Sequence, residues 1–147
     1  MSLLENYVQD LSNALNSPNL LVPPGTYQAV LISAEENEER GTMVLNFQLQ
    51  GNPGLTMMDG SPVDGCFIAH TLWFPKPEDK LVPATGGRGT KWDTKLGMVS
   101  RALKALGWSP ERGNISSCYG TTVLLDVQHE TYQGEMRERV QRIKPLL

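Results

Sequence analysis

Residues 42–50 read TMVLNFQLQ and contain the most regular alternation of apolar and polar side chains in the chain. The apolar residues Met43, Leu45, Phe47 and Leu49 occupy every second position, and from residue 46 onward amide side chains separate them. Successive side chains of a β-strand point to opposite faces of its sheet. The spacing therefore predicts a strand with one buried face.

The sequence on both sides of this stretch predicts four more strands and two helices. Strands are expected at 26–34, 66–74, 121–130 and 135–144. A helix is expected at 92–106, because Thr90 and Asp93 have the spacing of a capping box. Its apolar stripe consists of Leu96, Val99, Leu103 and Leu106. A short amphipathic helix is expected at 3–15.

The order of these elements, one helix followed by β-β-β-α-β-β, predicts a mainly β protein. It is the order of a five-stranded OB-fold, a partly open β-barrel, here with a helix between strands 3 and 4 and an N-terminal helix. One domain is expected over residues 1–147, with the N-terminal helix and connector at 1–21 and the barrel at 22–147. The apolar face of the N-terminal helix needs a cover, either the barrel or a second copy in a homodimer.

The 147-residue chain has a net charge of −3, but its two halves carry opposite charge. Residues 1–75 hold one basic and eight acidic residues, which gives −7, and residues 76–147 hold twelve basic and eight acidic residues, which gives +4. The acidic total argues against a nucleic-acid partner, whereas the asymmetry indicates a charged ligand on the second half.

Cysteine content and hydropathy bear on the compartment of the protein. Two cysteines are too few for a disulfide framework, which indicates a reducing environment. Neither a signal peptide nor an apolar run of membrane-spanning length is present in the sequence. A cytoplasmic protein without membrane contact is therefore expected, in the cytoplasm of the host cell if the protein is viral.

The segment from residue 73 to residue 92 combines aromatic and basic side chains, the two features that bind single-stranded nucleic acid without sequence preference. A 17-residue loop at 75–91 is also unusually long, which favours a functional role. The candidate binding residues of this segment are Trp73, Lys76, Lys80, Arg88, Lys91 and Trp92. The alternative is that Trp73 belongs to the core and that Trp92 only anchors the helix.

The third strand supplies a second aromatic candidate. Phe67 has the same parity as Trp73, whereas the opposite parity carries the more apolar set of Cys66, Ile68, Leu72 and Phe74. Phe67 and Trp73 are therefore expected on the binding face, with His70 inward or near the rim.

The last strand and its turn supply the remaining candidates. Arg137 and Arg139 share one face of the strand, and Met136 and Val140 are expected on the opposite face, in the core. Tyr132 at the turn is a candidate for stacking on a base. The alternative for the arginines is a charged sheet edge that prevents unwanted strand pairing.

Nothing in the sequence predicts an active site, a metal site or a cofactor. The potential metal ligands Cys66, His70, Cys118 and His129 match the spacing of no zinc motif. The glycine-rich stretch at 86–91 lacks the spacing of a phosphate-binding P-loop. A non-enzymatic binding protein is therefore expected.

From about residue 22 to its end, the chain resembles a family of phage-encoded single-stranded DNA-binding proteins with an OB-fold. The resemblance rests on short motifs in order: PGTY at 24–27, Gly41, LNFQL at 45–49, KL at 95–96, Leu103, ALG at 105–107, YQGEMRERV at 132–140 and Pro145. It implies an accessory protein of replication or recombination that coats transient single strands, largely independently of sequence. Single-stranded DNA and replication or recombination proteins are the partners that it implies.

Two features depart from such proteins. Many of them recruit partners through an acidic C-terminal tail, whereas this sequence ends in RIKPLL. The loop after the first strand often approaches nucleic acid in OB-folds, but here four glutamates at 35–39 would repel phosphates. The main alternative is an OB-fold adapter that binds proteins and no nucleic acid, and RNA is the alternative ligand to DNA.

Overall fold

A computed structural model describes residues 2–11, 21–86 and 88–146, and its architecture is mainly β. The strands are β1 (Gly25–Asn37), β2 (Thr42–Leu49), β3 (Phe67–Trp73), β4 (Thr122–Tyr132) and β5 (Glu135–Pro145). The helices are α1 (Leu3–Asn6) and α2 (Lys91–Ala105), and short 3₁₀ turns lie at Pro77–Leu81, Pro110–Arg112 and Ile115–Cys118. The five predicted strands and the helix between strands 3 and 4 are therefore confirmed.

All five strands belong to one antiparallel sheet with the order β3-β2-β1-β4-β5. In the described part of the chain no ladder joins β3 to β5, so the sheet is not closed into a barrel. Each neighbouring pair is antiparallel, and four such pairs separate the two edge strands, so β3 and β5 run in the same direction. Side chains of α2 lie between these edges.

The alternation in β2 positions the core. Leu45, Phe47 and Leu49 are fully buried, while Asn46 and Gln48 are half-buried on the other face. Buried residues of β1 and β4 continue the same layer on the neighbouring strands, among them Leu31 and Leu125. Because burial of each large apolar side chain contributes roughly 1.5–3 kcal/mol, this layer fixes which face of every strand looks outward.

A tight turn at Gln133 and Gly134 joins β4 to β5. Both residues have positive φ, 51° and 81°, which is the backbone of a type I′ turn and favours the twist of a two-stranded hairpin. Val140 is buried as predicted, but Met136 is 55% exposed and its predicted place in the core is wrong. Met136 pairs with Thr131 beside the turn, where the hairpin extends beyond the core.

Helix α2 begins with the predicted capping box. The Asp93 carboxylate accepts from the Thr90 N–H at 2.8 Å, and the Thr90 hydroxyl accepts from the Asp93 N–H at 3.4 Å. Val99 is buried, but Leu96 is 45% exposed, so its predicted place in the buried stripe is wrong. The C-terminal half of α2 packs on the core, with Ala102 and Ala105 among its buried residues.

The N-terminal segment is helical in α1 and, after a turn at Tyr7, again at residues 8–11. The Ser2 hydroxyl caps α1 by accepting from the Glu5 N–H at 3.2 Å. The rest of the predicted helix, residues 12–15, lies outside the described residues. Apolar side chains of this segment remain exposed, so the sheet, one of the two expected covers, does not cover residues 2–11, and the homodimer stays a prediction.

None of the helices formed by residues 2–11, 21–86 and 88–146 has both the length and the apolar character needed to cross a membrane.

Candidate nucleic-acid interface

A groove lies between the two edge strands of the sheet, with α2 as its floor. Its volume is about 1070 Å³. The lining comprises residues 69–73 of β3, residues 137–143 of β5, Glu130 of β4, and Met98, Val99, Arg101 and Ala102 of α2. The fold thus brings three predicted contact residues, Trp73, Arg137 and Arg139, into one cleft.

The two aromatic side chains of β3 are exposed, as their parity predicts. Phe67 is 67% exposed and Trp73 is 53% exposed, whereas Ile68 and Leu72 between them are buried. The two exposed residues are six positions apart, which corresponds to about 20 Å along a strand. Trp73 lines the groove, and Phe67 lies outside it at the other end of β3.

Neutral polar side chains lie beside this aromatic pair on the same face. Gln48 of β2 pairs with Phe67, and Asn46 pairs with Ala69. The Asn46 amide donates to the Ser33 hydroxyl at 3.1 Å, which fixes its orientation on the face. The surface between the aromatic residues therefore offers hydrogen-bonding groups without net charge.

The arginines of β5 share one carboxylate. The Arg137 guanidinium donates to Glu130 at 2.7 Å, and Arg139 lies 3.5 Å from the other oxygen of the same side chain. Arg137 also stacks 4.1 Å from the centre of the Tyr132 ring, a cation–π contact that covers one face of that ring. One acidic group thus serves two cations, and Tyr132 has only its other face for a base.

Positive charge exceeds negative charge in the groove. The lining contains Arg101, Arg142 and the two arginines bound to Glu130, against the carboxyl groups of Glu130 and Glu138. Among the ion pairs of the described chain, none involves Arg101 or Arg142. Arg101 therefore has no carboxylate in contact within the described residues, whereas Arg142 lies opposite Asp126 in the β4–β5 ladder and helps to lower the pKa of that carboxyl.

Two further titratable residues, Glu138 and His70, line the groove. Burial raises the pKa of the Glu138 carboxyl, although a hydrogen bond from the Val22 N–H and the nearby His129 act in the opposite direction. Burial and the nearby Arg139 lower the pKa of His70, which is half-buried as predicted. Both shifts disfavour the charged form of the side chain, so these two groups do not offset the excess of arginines in the cleft.

The 75–91 segment is organised around Asp79, which was not predicted. The Asp79 carboxylate is buried, accepts from the Lys76 N–H at 2.8 Å, and lies 3.1 Å from Lys95 and 3.9 Å from Lys91. The hydrogen bond from the Lys76 N–H, together with the two ammonium groups, lowers the pKa of Asp79. Lys91 is thus partly neutralised by a structural carboxylate.

Trp92 has a structural partner too. The ring is half-buried, and the Lys80 ammonium lies 4.5 Å above its centre. One face of Trp92 is therefore covered, and Lys80 is drawn towards the protein surface. Lys76 and Arg88 are exposed, but neither they nor Lys80, Lys91 and Trp92 line the groove.

The acidic β1–β2 hairpin lies next to the end of β3. The Phe74 N–H donates to the Gly41 carbonyl at 2.8 Å, and the side chain of Lys76 passes close to Gly41. Glu36 and Glu38 line a small hollow of about 210 Å³ with Phe74 at this point. The positive charge of Lys76 therefore stands beside acidic neighbours, which makes it a weaker phosphate contact than its exposure suggests.

Two groove residues of α2 were missed by the sequence analysis. Arg101 and Met98 are three positions apart on α2, next to the buried Val99 and Ala102, so they border its packed face. Their helical spacing was visible in the sequence. What the sequence did not show is that this border of the helix lies between β3 and β5.

Comparisons with known proteins assign the chain to no family. No protein-family model matches the chain, and no curated protein matches it. Over residues 2–11, 21–86 and 88–146, no group of three or more His, Cys, Asp or Glu side chains is arranged to hold a metal ion. The site is therefore best described as an aromatic and arginine-lined cleft at the open edge of a five-stranded sheet.

Proposed function

We propose that this protein binds single-stranded DNA without catalysing a reaction, and that it is an OB-fold protein of a phage that acts in replication or recombination. The observation that carries the proposal is the exposed Trp73 in a cleft whose arginines outnumber its carboxylates. Aromatic faces and cations together are what sequence-tolerant binding of single strands requires.

The geometry of the cleft supports different roles for its two sides, base stacking on β3 and phosphate contacts on α2 and β5. Bases would stack on Trp73 and, about 20 Å away along β3, on Phe67, since both rings are exposed on the same face. The guanidinium groups of Arg101, Arg139 and Arg142 would contact phosphates from the floor and the opposite wall. The amides of β2 beside β3 would offer hydrogen bonds to base edges without imposing a fixed sequence.

The assignment to an OB-type fold is part of the same proposal. Five antiparallel strands with a helix between β3 and β4 follow the element order of that fold, and its two edge strands face each other across the cleft. The OB-type barrel would be open along this line, and the ligand would occupy the opening.

Titration with an oligo-dT strand tests the proposal. Tryptophan emission is expected to quench at low salt, and the affinity is expected to fall with salt with a slope of roughly −2 if three arginines contact phosphates. A Trp73→Phe variant should lose most of the quench. The matched control is Trp108→Phe, because the Trp108 indole donates to the Gly113 carbonyl at 2.9 Å and does not line the cleft.

The outcomes of this titration separate the ligand classes. Absence of binding at low salt would contradict the proposal, and equal loss of quench in both tryptophan variants would place the ligand elsewhere. A parallel titration with oligo-U compares RNA with DNA. The second candidate function, a protein-binding adapter, is favoured by the two open strand edges, which are surfaces that extended peptides use.

A further inference from the structure

The N-terminal segment at residues 2–11 has an apolar face without a cover. Leu4, Tyr7, Val8 and Leu11 recur at helical spacing, and each is at least 45% exposed. The same segment carries Glu5 and Asp10 and no basic residue. It is therefore an acidic amphipathic element that needs a partner with an apolar floor and positive charge.

The groove between β3 and β5 has this complementary chemistry. Its exposed apolar side chains are Met98, which is 58% exposed, and Trp73. Arg101 and Arg142 lie beside them and form no ion pair within the described ranges of the chain. The acidic amphipathic segment is thus matched to an apolar floor flanked by two cations, of which Arg142 also interacts with Asp126.

The chain leaves the sheet at the rim of this groove. The Val22 N–H donates to the Glu138 carboxylate at 3.2 Å, and His129 Nε2 donates to the Val22 carbonyl at 2.7 Å. Glu138 is itself part of the groove lining. Val22 is almost fully buried, so this attachment point is fixed relative to the cleft.

The distance from this attachment point permits docking within one chain. Ten residues separate Leu11 from Val22, and they span at most about 36 Å. The groove wall formed by residues 137–143 is about 23 Å long. Tethering converts the encounter into an intramolecular event with a high effective concentration, which favours the segment of the same chain over that of a second copy.

We propose that residues 2–11, which the structure describes outside the groove, dock into the β3–β5 groove of their own chain in a second conformation. In that conformation the apolar face covers Met98 and Trp73, and Glu5 and Asp10 face Arg101 and Arg142. The docking needs no nucleic acid, so it stands whether or not the proposed function is correct. Where the groove does bind a strand, the segment occupies the same arginines and competes with it.

Disulfide trapping in the full-length protein tests the docking. A Leu4→Cys, Met98→Cys protein in a Cys66→Ser background is expected to form an intramolecular disulfide about tenfold faster than a matched Leu4→Cys, Met58→Cys protein. Met58 is 89% exposed and lies outside the groove, so it serves as the control position. The products are separated by non-reducing electrophoresis, which distinguishes a cross-linked monomer from a dimer.

Charge reversal provides the second measurement. The residues changed are exposed, so their substitution is not expected to unfold the protein. Glu5→Lys with Asp10→Lys is expected to slow trapping about threefold or more, whereas Glu38→Lys with Glu39→Lys, the same change of charge in the β1–β2 hairpin, should leave the rate unchanged. Equal trapping rates at Met98 and Met58 would overturn the proposal. So would a disulfide-linked dimer as the main product, because the segment would then occupy a second copy.

Discussion

The β3–β5 groove and the 75–91 segment are both basic and aromatic in sequence, but they use these side chains differently. In the segment, Asp79 holds Lys91 and Lys95, and Lys80 covers Trp92, so the cations and the ring serve the local structure. In the groove, two arginines share one carboxylate and Trp73 stays uncovered. The comparison teaches that composition indicates a ligand only where the side chains lack partners within the protein.

The largest expected difference between the two regions is in DNA binding. Trp73→Ala is expected to weaken oligo-dT binding by about 1–3 kcal/mol, the contribution of one stacked base, or roughly 5- to 150-fold. Trp92→Ala should weaken it less, because Lys80 already covers one face of that ring. Fluorescence anisotropy of labelled DNA measures both affinities. An equal or larger loss for Trp92→Ala would reverse the comparison.

The effect on folding stability should be larger in the 75–91 segment than in the groove. Asp79→Ala is expected to destabilise the protein more than Glu130→Ala, because Asp79 is a buried acceptor for the Lys76 N–H and two lysines. Glu130 forms part-exposed ion pairs, which contribute at most about 1 kcal/mol each. Urea unfolding followed by circular dichroism gives both values. Similar urea midpoints for the two variants would show that Asp79 contributes no more to folding stability than Glu130 does.

The smallest expected effect is on the pH dependence of stability, where the two regions have opposite signs. The pKa of Asp79 is lowered, so its contribution is present above the ordinary carboxyl range, about pH 4, and is lost as the pH falls through the folded-state value. The pKa of Glu138 is raised by burial, so its contribution is present below that range and is lost as the pH rises through the folded-state value.

Two variants sharpen this contrast. Relative to the wild type, Glu138→Gln should become less destabilising as the pH rises above the ordinary carboxyl range. Asp79→Asn should become more destabilising as the pH rises from acid values up to about 4, the ordinary carboxyl value. Thermal unfolding at several pH values measures both trends. Parallel curves for the two variants would contradict the assigned signs.

Local patterns predicted the parts of the fold that depend on neighbours along the chain. Strand parity placed Phe67 and Trp73 outward and Ile68 and Leu72 inward, because side-chain alternation is a property of the strand itself. The capping box placed the start of α2 for the same reason. Parity misplaced Met136, because a hairpin that extends past the core exposes both of its faces.

The candidate site depends on contacts between distant segments, which no local pattern contains. The position of Arg101 between β3 and β5 follows from how α2 crosses the open edge of the sheet. The pairing of Lys80 with Trp92 and of Lys95 with Asp79 follows from the fold of the 3₁₀ turn at Pro77–Leu81. The charge asymmetry of the sequence indicated a basic half, and the structure divides that half into cations with partners and cations without them.

The attachment of Val22 to Glu138 also bears on the order of folding. These residues are 116 positions apart, and the adjoining ladder pairs Gly25 of β1 with Val127 of β4. Closing so long a loop costs more entropy than forming the local β1–β2 and β4–β5 hairpins. During synthesis, β1 can pair with β4, its second neighbour in the sheet, only after the last quarter of the chain has been made. The hydrogen bond that attaches Val22 to Glu138 can form only after β5 has left the ribosome.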